Sequence, residues 1–171
     1  MTEEMLDVVD EDDRVIKVTS RDDARRRNLR TRASHIIIMD RKGNLLIQKR
    51  AAGKKIYPSL WDIGVGETIQ TGESYESAAI RGMSEELNLT ISMKNIKFLC
   101  DYKFEDEITK RIWKIYSCIL PSHDVTMQED EISEIKWISA IEAANAVKTK
   151  NFAPWWSGIF EEAMKKIGGK V

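Results

Sequence analysis

Glu85 and Glu86 are adjacent carboxylates near the end of a segment, Gly64 to Leu89, that also contains Glu67, Glu73 and Arg81. Neighbouring carboxylates suit a hard divalent cation. Mg²⁺ takes oxygen ligands, needs few carboxylates, and keeps positions for water and substrate phosphate, which is what cleavage of a diphosphate requires. The segment reads as strand, glycine loop and helix. Ser74 is placed to cap that helix, and Ile80, Met83 and Leu87 recur at spacings of three and four, which makes one core-facing stripe. Arg81, Glu85 and Glu86 are expected to project away from the stripe, with Arg81 and Glu85 one turn apart and able to pair.

The flanking elements follow from patterning. Leu6 to Val9 and Val15 to Val18 flank an acidic turn and predict a small N-terminal hairpin, after which Ser20 caps a short charged helix. The run Arg25-Arg26-Arg27 lacks interleaved aromatics and follows two acids, so it reads as a solvated helix face and not as a nucleic-acid patch. His35 to Met39 and Leu45 to Gln48 surround Gly43-Asn44 and predict a second hairpin with a buried first strand. Strands are expected around Trp61 to Gly66, Ile96 to Cys100, Arg111 to Cys118 and Ile135 to Ile138. Helices are expected over Ser139 to Val147 and after Pro154, with the proline at an early helical position. Residues 1–30 then form a hairpin and short helix packed on a domain spanning 31–171, within one structural unit.

The chain has 171 residues, which fits a single domain. It carries 27 Lys and Arg against 28 Asp and Glu. Balanced charge gives no bulk attraction to nucleic acid or an anionic membrane, so any polyanion must bind locally. The longest aliphatic run, Ile36 to Met39, is far shorter than the ~18 residues that cross a bilayer. Met1 to Asp7 is acidic where a presequence needs positive charge, and the expected location is cytoplasmic. Cys100 and Cys118, without Cys-x-x-Cys spacing, read as buried reduced thiols.

The segment resembles the box of the Nudix hydrolases: Gly, five residues, Glu, seven residues, Arg-Glu-aliphatic, any residue, Glu-Glu, any residue, Gly-aliphatic. Glu73, Arg81, Met83, Glu85, Glu86 and Leu89 stand at matching positions. The resemblance implies an α/β fold, an αβα sandwich around a mixed sheet, and a Mg²⁺-dependent (or Mn²⁺-dependent) hydrolase of a diphosphate linkage in a nucleoside diphosphate derivative or similar small metabolite. It implies metal held by Glu85 and Glu86 with help from Glu73 and the Gly66 carbonyl, and Arg81 orienting the glutamates. The only partner expected is the small-molecule substrate, and a homodimer is compatible with the sequence.

Three positions depart from the box. Glu67 replaces the first Gly, Gly82 replaces the Glu after Arg81, and Asn88 replaces the late Gly. Asparagine tolerates the left-handed conformation that ends a helix. Gly82 removes a carboxylate that in the family binds metal or helps deprotonate water. Glu67 lies, in such folds, beside the metal on the same side, so one acid is expected to have moved across the site. Glu129, Asp130 and Glu131 are the other acids available as base.

Lys49, Arg50, Lys54 and Lys55 flank the approach to the site and are candidates for holding phosphate. Tyr57, Trp61, Trp113, Trp155 and Trp156 could wall a pocket or fill the core. Tyr57-Pro58-Ser59-Leu60-Trp61 resembles the branch near isopentenyl-diphosphate isomerase. That enzyme would need a cysteine near Gly66, a histidine near Thr68 and a glutamate near Lys114, and none is present; His35 and His123 do not fall at its ligand positions. An isomerase-like enzyme and a catalytically weak diphosphate-binding protein, with Gly82 marking lost turnover, are the alternatives.

Overall fold

The computed structural model describes residues 3–168. The readings placed on Met1 and Thr2, and the last residues of the 31–171 unit, lie outside the described residues. Strand β3 (Arg30–Met39) is the spine. It runs antiparallel to β6 (Val65–Thr68) on one edge and parallel to β8 (Lys110–Ile119) on the other, and β8 continues antiparallel to β7 (Ile96–Glu105). A second antiparallel group places β4 (Leu45–Arg50) between β5 (Trp61–Ile63) and β9 (Ile132–Ile138).

The hairpin expected between β3 and β4 is not a ladder. The two strands meet at one pair, Met39 and Leu45, and then diverge into the two groups. The physical reason is that β6 and β8 already occupy both edges of β3, so β4 must pair elsewhere. The turn itself is tightly tied: Asp40 Oδ1 accepts from the Lys42 and Asn44 amides at 2.8 and 2.9 Å, and Gly43 takes φ +83°. Hydrogen bonds from Asn44, His123 and Lys42 outweigh the opposing effect of burial and hold the Asp40 carboxyl well below the usual range.

The single strand expected over Trp61 to Gly66 is divided by Gly64. The chain crosses there from pairing with β4 to pairing with β3. Gly64 has φ +64°, and a Cβ would stand 1.8 Å from the Ile36 carbonyl oxygen, so only glycine fits the crossing.

At the N-terminus, β1 (Met5–Val9) and β2 (Val15–Ser20) form the expected hairpin, and β1 joins β3 at Val8 and Thr31. Ser20 caps α1 (Arg21–Arg26) by accepting from the Asp23 amide. Asp22 and Asp23 pair with Arg25, Arg26 and Arg27, which neutralises the basic run within its own helix.

Buried residues fall into two groups, one on each face of the sheet. Ile36, Ile38, Leu46, Val65 and Tyr116 pack against Ala79, Met83 and Leu87 of α2 (Tyr75–Leu87). Ile37, Leu45, Ile47, Trp113 and Ile115 pack against α3 (Ala140–Ala146) and α4 (Trp156–Ile167). This is the expected α/β architecture, helices on both faces of a large mixed sheet. Trp155 is the N-cap of α4, so Pro154 precedes the helix instead of opening it. Both cysteines are buried and free. No helix among the described residues is long and apolar enough to cross a membrane.

Candidate active site

Ser74 and Asn88 set the two ends of α2. Ser74 Oγ accepts from the Ser77 amide, and Asn88 takes the left-handed conformation at φ 51°. Between them the core-facing row is Ala79, Met83 and Leu87, with Ile80 only half-buried. That rotation corrects one expectation: Glu86 does not project away from the core but is buried, 6% exposed. Gly82 and Glu86 are one turn apart on the side facing β6. With no side chain at 82, the helix comes so close to β6 that a Cβ there would meet Glu67 Cβ at 3.0 Å and Val65 Cγ1 at 3.1 Å. The volume that a side chain at 82 would need is taken by Glu67 and Val65.

Arg81 ties the acids together. It donates from Nε to Glu73 Oε1 and from Nη2 to Glu73 Oε2, both at 2.9 Å, a two-pronged pair. It also reaches Glu85 at 3.1 Å, Glu67 at 3.4 Å and the Thr68 carbonyl at 2.8 Å. Glu73 has both oxygens engaged, since Oε2 also accepts from the Gln70 amide. In this arrangement it anchors Arg81 and does not offer a free oxygen. Glu85 is exposed.

Glu67 and Glu86 differ from the rest. Burial raises the pKa of Glu67 against the opposing pull of Arg81, and burial with the charge of Glu67 pushes Glu86 up to about 8. Glu67 Oε1 accepts from the Thr68 amide at 2.8 Å, and Glu86 Oε2 accepts from Gln48 Nε2 at 3.2 Å. Among the described residues, the other oxygen of each has no hydrogen-bond donor. Gln48, whose Nε2 is also held by the Gly64 carbonyl at 2.7 Å, has its Oε1 buried without a partner. The buried Glu86, the partly buried Glu67 that repels it and the orphaned amide oxygen form an oxygen-donor set, the donor chemistry that fits a hard cation. No group of three His, Cys, Asp or Glu among the described residues forms a complete metal cluster on its own. Mg²⁺ commonly completes its octahedron with water and substrate phosphate.

Glu67 forms part of the wall of a cavity of about 380 Å³, together with Gly66, Lys54, Asp130, Glu131 and Arg111 among others. Lys54 pairs with Glu131, and Lys55 approaches Asp22 at 3.7 Å. Lys49 and Glu129 lie outside this wall, and Glu129 is exposed. Arg50 lines the cavity, but its guanidinium is engaged. It donates to the carbonyls of Ile56 and Tyr57 and approaches the buried Asp62 at 3.5 Å, so it organises the loop above the cavity. Asp62 also accepts from the Trp155 and Trp156 indoles. Trp155 and Trp113 face the cavity, while Trp156 is fully buried. His35 sits opposite Gly66, where a Cβ would meet its Nδ1 at 2.7 Å, and burial lowers its pKa and keeps the ring neutral.

Gln48, His35 and Arg111 are site residues that the sequence reading left unassigned. Gln48 and His35 carried one signal, a polar residue inside a strand otherwise read as buried.

The family model for the NUDIX domain matches residues 29–156. The chain is 34% identical over 139 residues to an uncharacterized Nudix hydrolase of Yersinia pestis, covering 79% of this chain and 72% of that protein. It is 34% identical over 140 residues to the uncharacterized Nudix hydrolase YfcD of Escherichia coli K12, covering 80% and 74%. Among solved structures it resembles DR0079 from Deinococcus radiodurans, with a TM-score of 0.75 and 25% identity over 88% of this chain and 92% of that one. The NUDIX domain of Shewanella oneidensis NrtR, solved with ADP ribose, is alike in fold alone, with a TM-score of 0.61 and 16% identity over 80% and 87%.

Proposed function

The chain belongs to the Nudix superfamily, and from that premise we propose that it is a Mg²⁺-dependent hydrolase of a diphosphate linkage in a small metabolite, such as a nucleoside diphosphate derivative, working in the cytoplasm. The observation that carries this reading is the pair Glu67 and Glu86: burial and the charge of Glu67 raise the pKa of the buried Glu86, and Glu67 stands in the wall of a cavity that also presents Lys54. Such a pair is unfavourable until a cation compensates it. Glu86 and Glu85, with the Gly66 carbonyl, would hold the metal, which when bound neutralises phosphate charge and acidifies water.

The remaining work falls to the chain itself. Glu67 receives the proton of the attacking water, a role suited to a carboxylate that stands in the cavity wall with one oxygen free of hydrogen-bond donors. Water forms the new P–O bond as the bridging P–O bond breaks, and the leaving phosphate carries away the electron pair. Arg81 fixes Glu67 and Glu85 in position through its grip on Glu73. Glu131, paired with Lys54 at the cavity wall, is the second base available, with Asp130 beside it. Lys54 and Lys55 line the cavity and would meet substrate phosphate.

The test is Mg²⁺-dependent turnover of a panel of nucleotide and isoprenoid diphosphates, read by mass spectrometry, for the wild type and Glu86→Gln. Hydrolysis of a panel member that falls ~10³-fold in Glu86→Gln supports the reading. Metal-dependent deuterium exchange into an isoprenoid diphosphate would instead identify an isomerase. Diphosphate binding without turnover would identify a binding protein.

A further inference from the structure

The cavity has a second charged corner that the hydrolytic reading does not use. It is walled by α1 and by the turn between β7 and β8, and its centre is Arg111 on β8, opposite Thr31 of β3. Arg111 Nη1 donates to Thr68 Oγ1 at 2.9 Å and Nε donates to Thr109 Oγ1 at 3.3 Å. A guanidinium has five N–H groups, so three are left without acceptors. Among the described residues, no carboxylate lies within ion-pair distance of Arg111, although nearly every other arginine of the fold has one. Arg21 enters the same corner, reaching Thr68 Oγ1 at 3.4 Å while paired with Glu4 at 2.7 Å.

Burial and the nearby charges of Arg21 and Arg50 lower the Arg111 pKa to about 10; Glu67 and Glu4 oppose that shift. The group is still a full cation near neutral pH. Because Thr68 and Thr109 accept from arginine, their own O–H groups remain donors. Unused guanidinium N–H groups, a second arginine and two hydroxyls around one partly enclosed space are the donor set of an oxyanion site.

We propose that Arg111, with Arg21, Thr68 and Thr109, forms a second anion subsite that takes a phosphate monoester carried by the substrate apart from its scissile diphosphate. Thr68 follows Glu67 directly, and the pleat sends their side chains to opposite faces of β6. One strand thus divides the chemistry, with the scissile group on the α2 side and the distal phosphate on the α1 side. The inference rests on the diphosphate reading for its substrate but not for its binding site.

The test has two arms. Inorganic phosphate is titrated calorimetrically into the metal-free protein. A drop of about tenfold in affinity for Arg111→Gln, less for Arg111→Lys, is expected from loss of one charge-assisted bidentate contact. Thermal melts confirm that both variants fold. Turnover is then compared for a nucleoside 5′-diphosphate and its 3′-phosphorylated counterpart. The wild type is expected to prefer the latter about tenfold in kcat/KM, mainly through KM, and Arg111→Gln is expected to abolish that preference. Unchanged phosphate affinity in folded Arg111→Gln overturns the subsite. So does an equal loss on both substrates, which would place Arg111 on the scissile diphosphate. Phosphate binding that depends on Arg111 in a protein without hydrolytic turnover sustains the subsite and refutes the hydrolase reading.

Discussion

Two charged corners of opposite sign, the acidic one reaching the cavity through Glu67, are built in opposite ways. The acidic corner comes from one short stretch of chain, Glu67 through Glu86, folded as strand, loop and helix around Arg81. The basic corner is assembled from α1, the end of β6 and the start of β8, segments far apart in sequence. A contiguous site keeps its spacing in the sequence, so a register of residue types can reveal it. An assembled site depends on strand pairing, and Arg111 looks like any charged residue opening a buried strand until β8 is laid beside β3.

The sharpest way to break this contrast is to move the acid. Glu67→Gln is expected to lower kcat/KM by ~10²–10⁴-fold, the range for loss of a general base. Gly82→Glu alone must push against Glu67 and Val65, and it should lose ~1–3 kcal/mol of stability in urea unfolding. The double variant Glu67→Gly, Gly82→Glu removes that conflict and returns the carboxylate to the helix. It should recover most of the turnover that Glu67→Gln loses. If the double variant is no more active than Glu67→Gln, the two positions do not share one acid.

A smaller effect is expected from Arg81→Lys, which retains charge but not the two-pronged hold on Glu73. Loss of ~10–100-fold in metal-dependent activity is the scale for a residue that orients ligands, with little change in melting temperature. A melting temperature that falls while activity holds would make Arg81 a structural brace.

The smallest effect concerns the turn that separates the two strand groups, remote from both corners. The carboxyl of Asp40 has a lowered pKa in the folded protein, so its stabilisation is present above its unfolded pKa and is lost as pH falls through its folded value. Below about pH 4 the wild type should therefore lose stability more steeply than Asp40→Asn. Denaturant midpoints measured across that range would show it, and parallel curves would remove Asp40 from the account.

The same distinction explains what was legible. The α2 caps and the Arg81–Glu85 pairing followed from local periodicity and spacing, and the layered fold and the place of Glu67 from the resemblance of the box. The divergence of β3 from β4 did not, because it depends on which strands claim the edges of β3, and those strands come later in the chain. The burial of Glu86 was missed because the helical stripe was centred on Ile80. Gly82 displaces that centre toward Ala79 by letting the helix approach β6.

The place of α1 also bears on modularity. The family model begins at residue 29, yet Leu6, Arg21 and Ala24 help to wall the cavity. A chain cut where the model begins would keep every carboxylate of α2 and lose one side of the cavity. The segment that the family model describes and the segment that walls the cavity thus have different boundaries. Residues N-terminal to the family model therefore bear on what the cavity can hold.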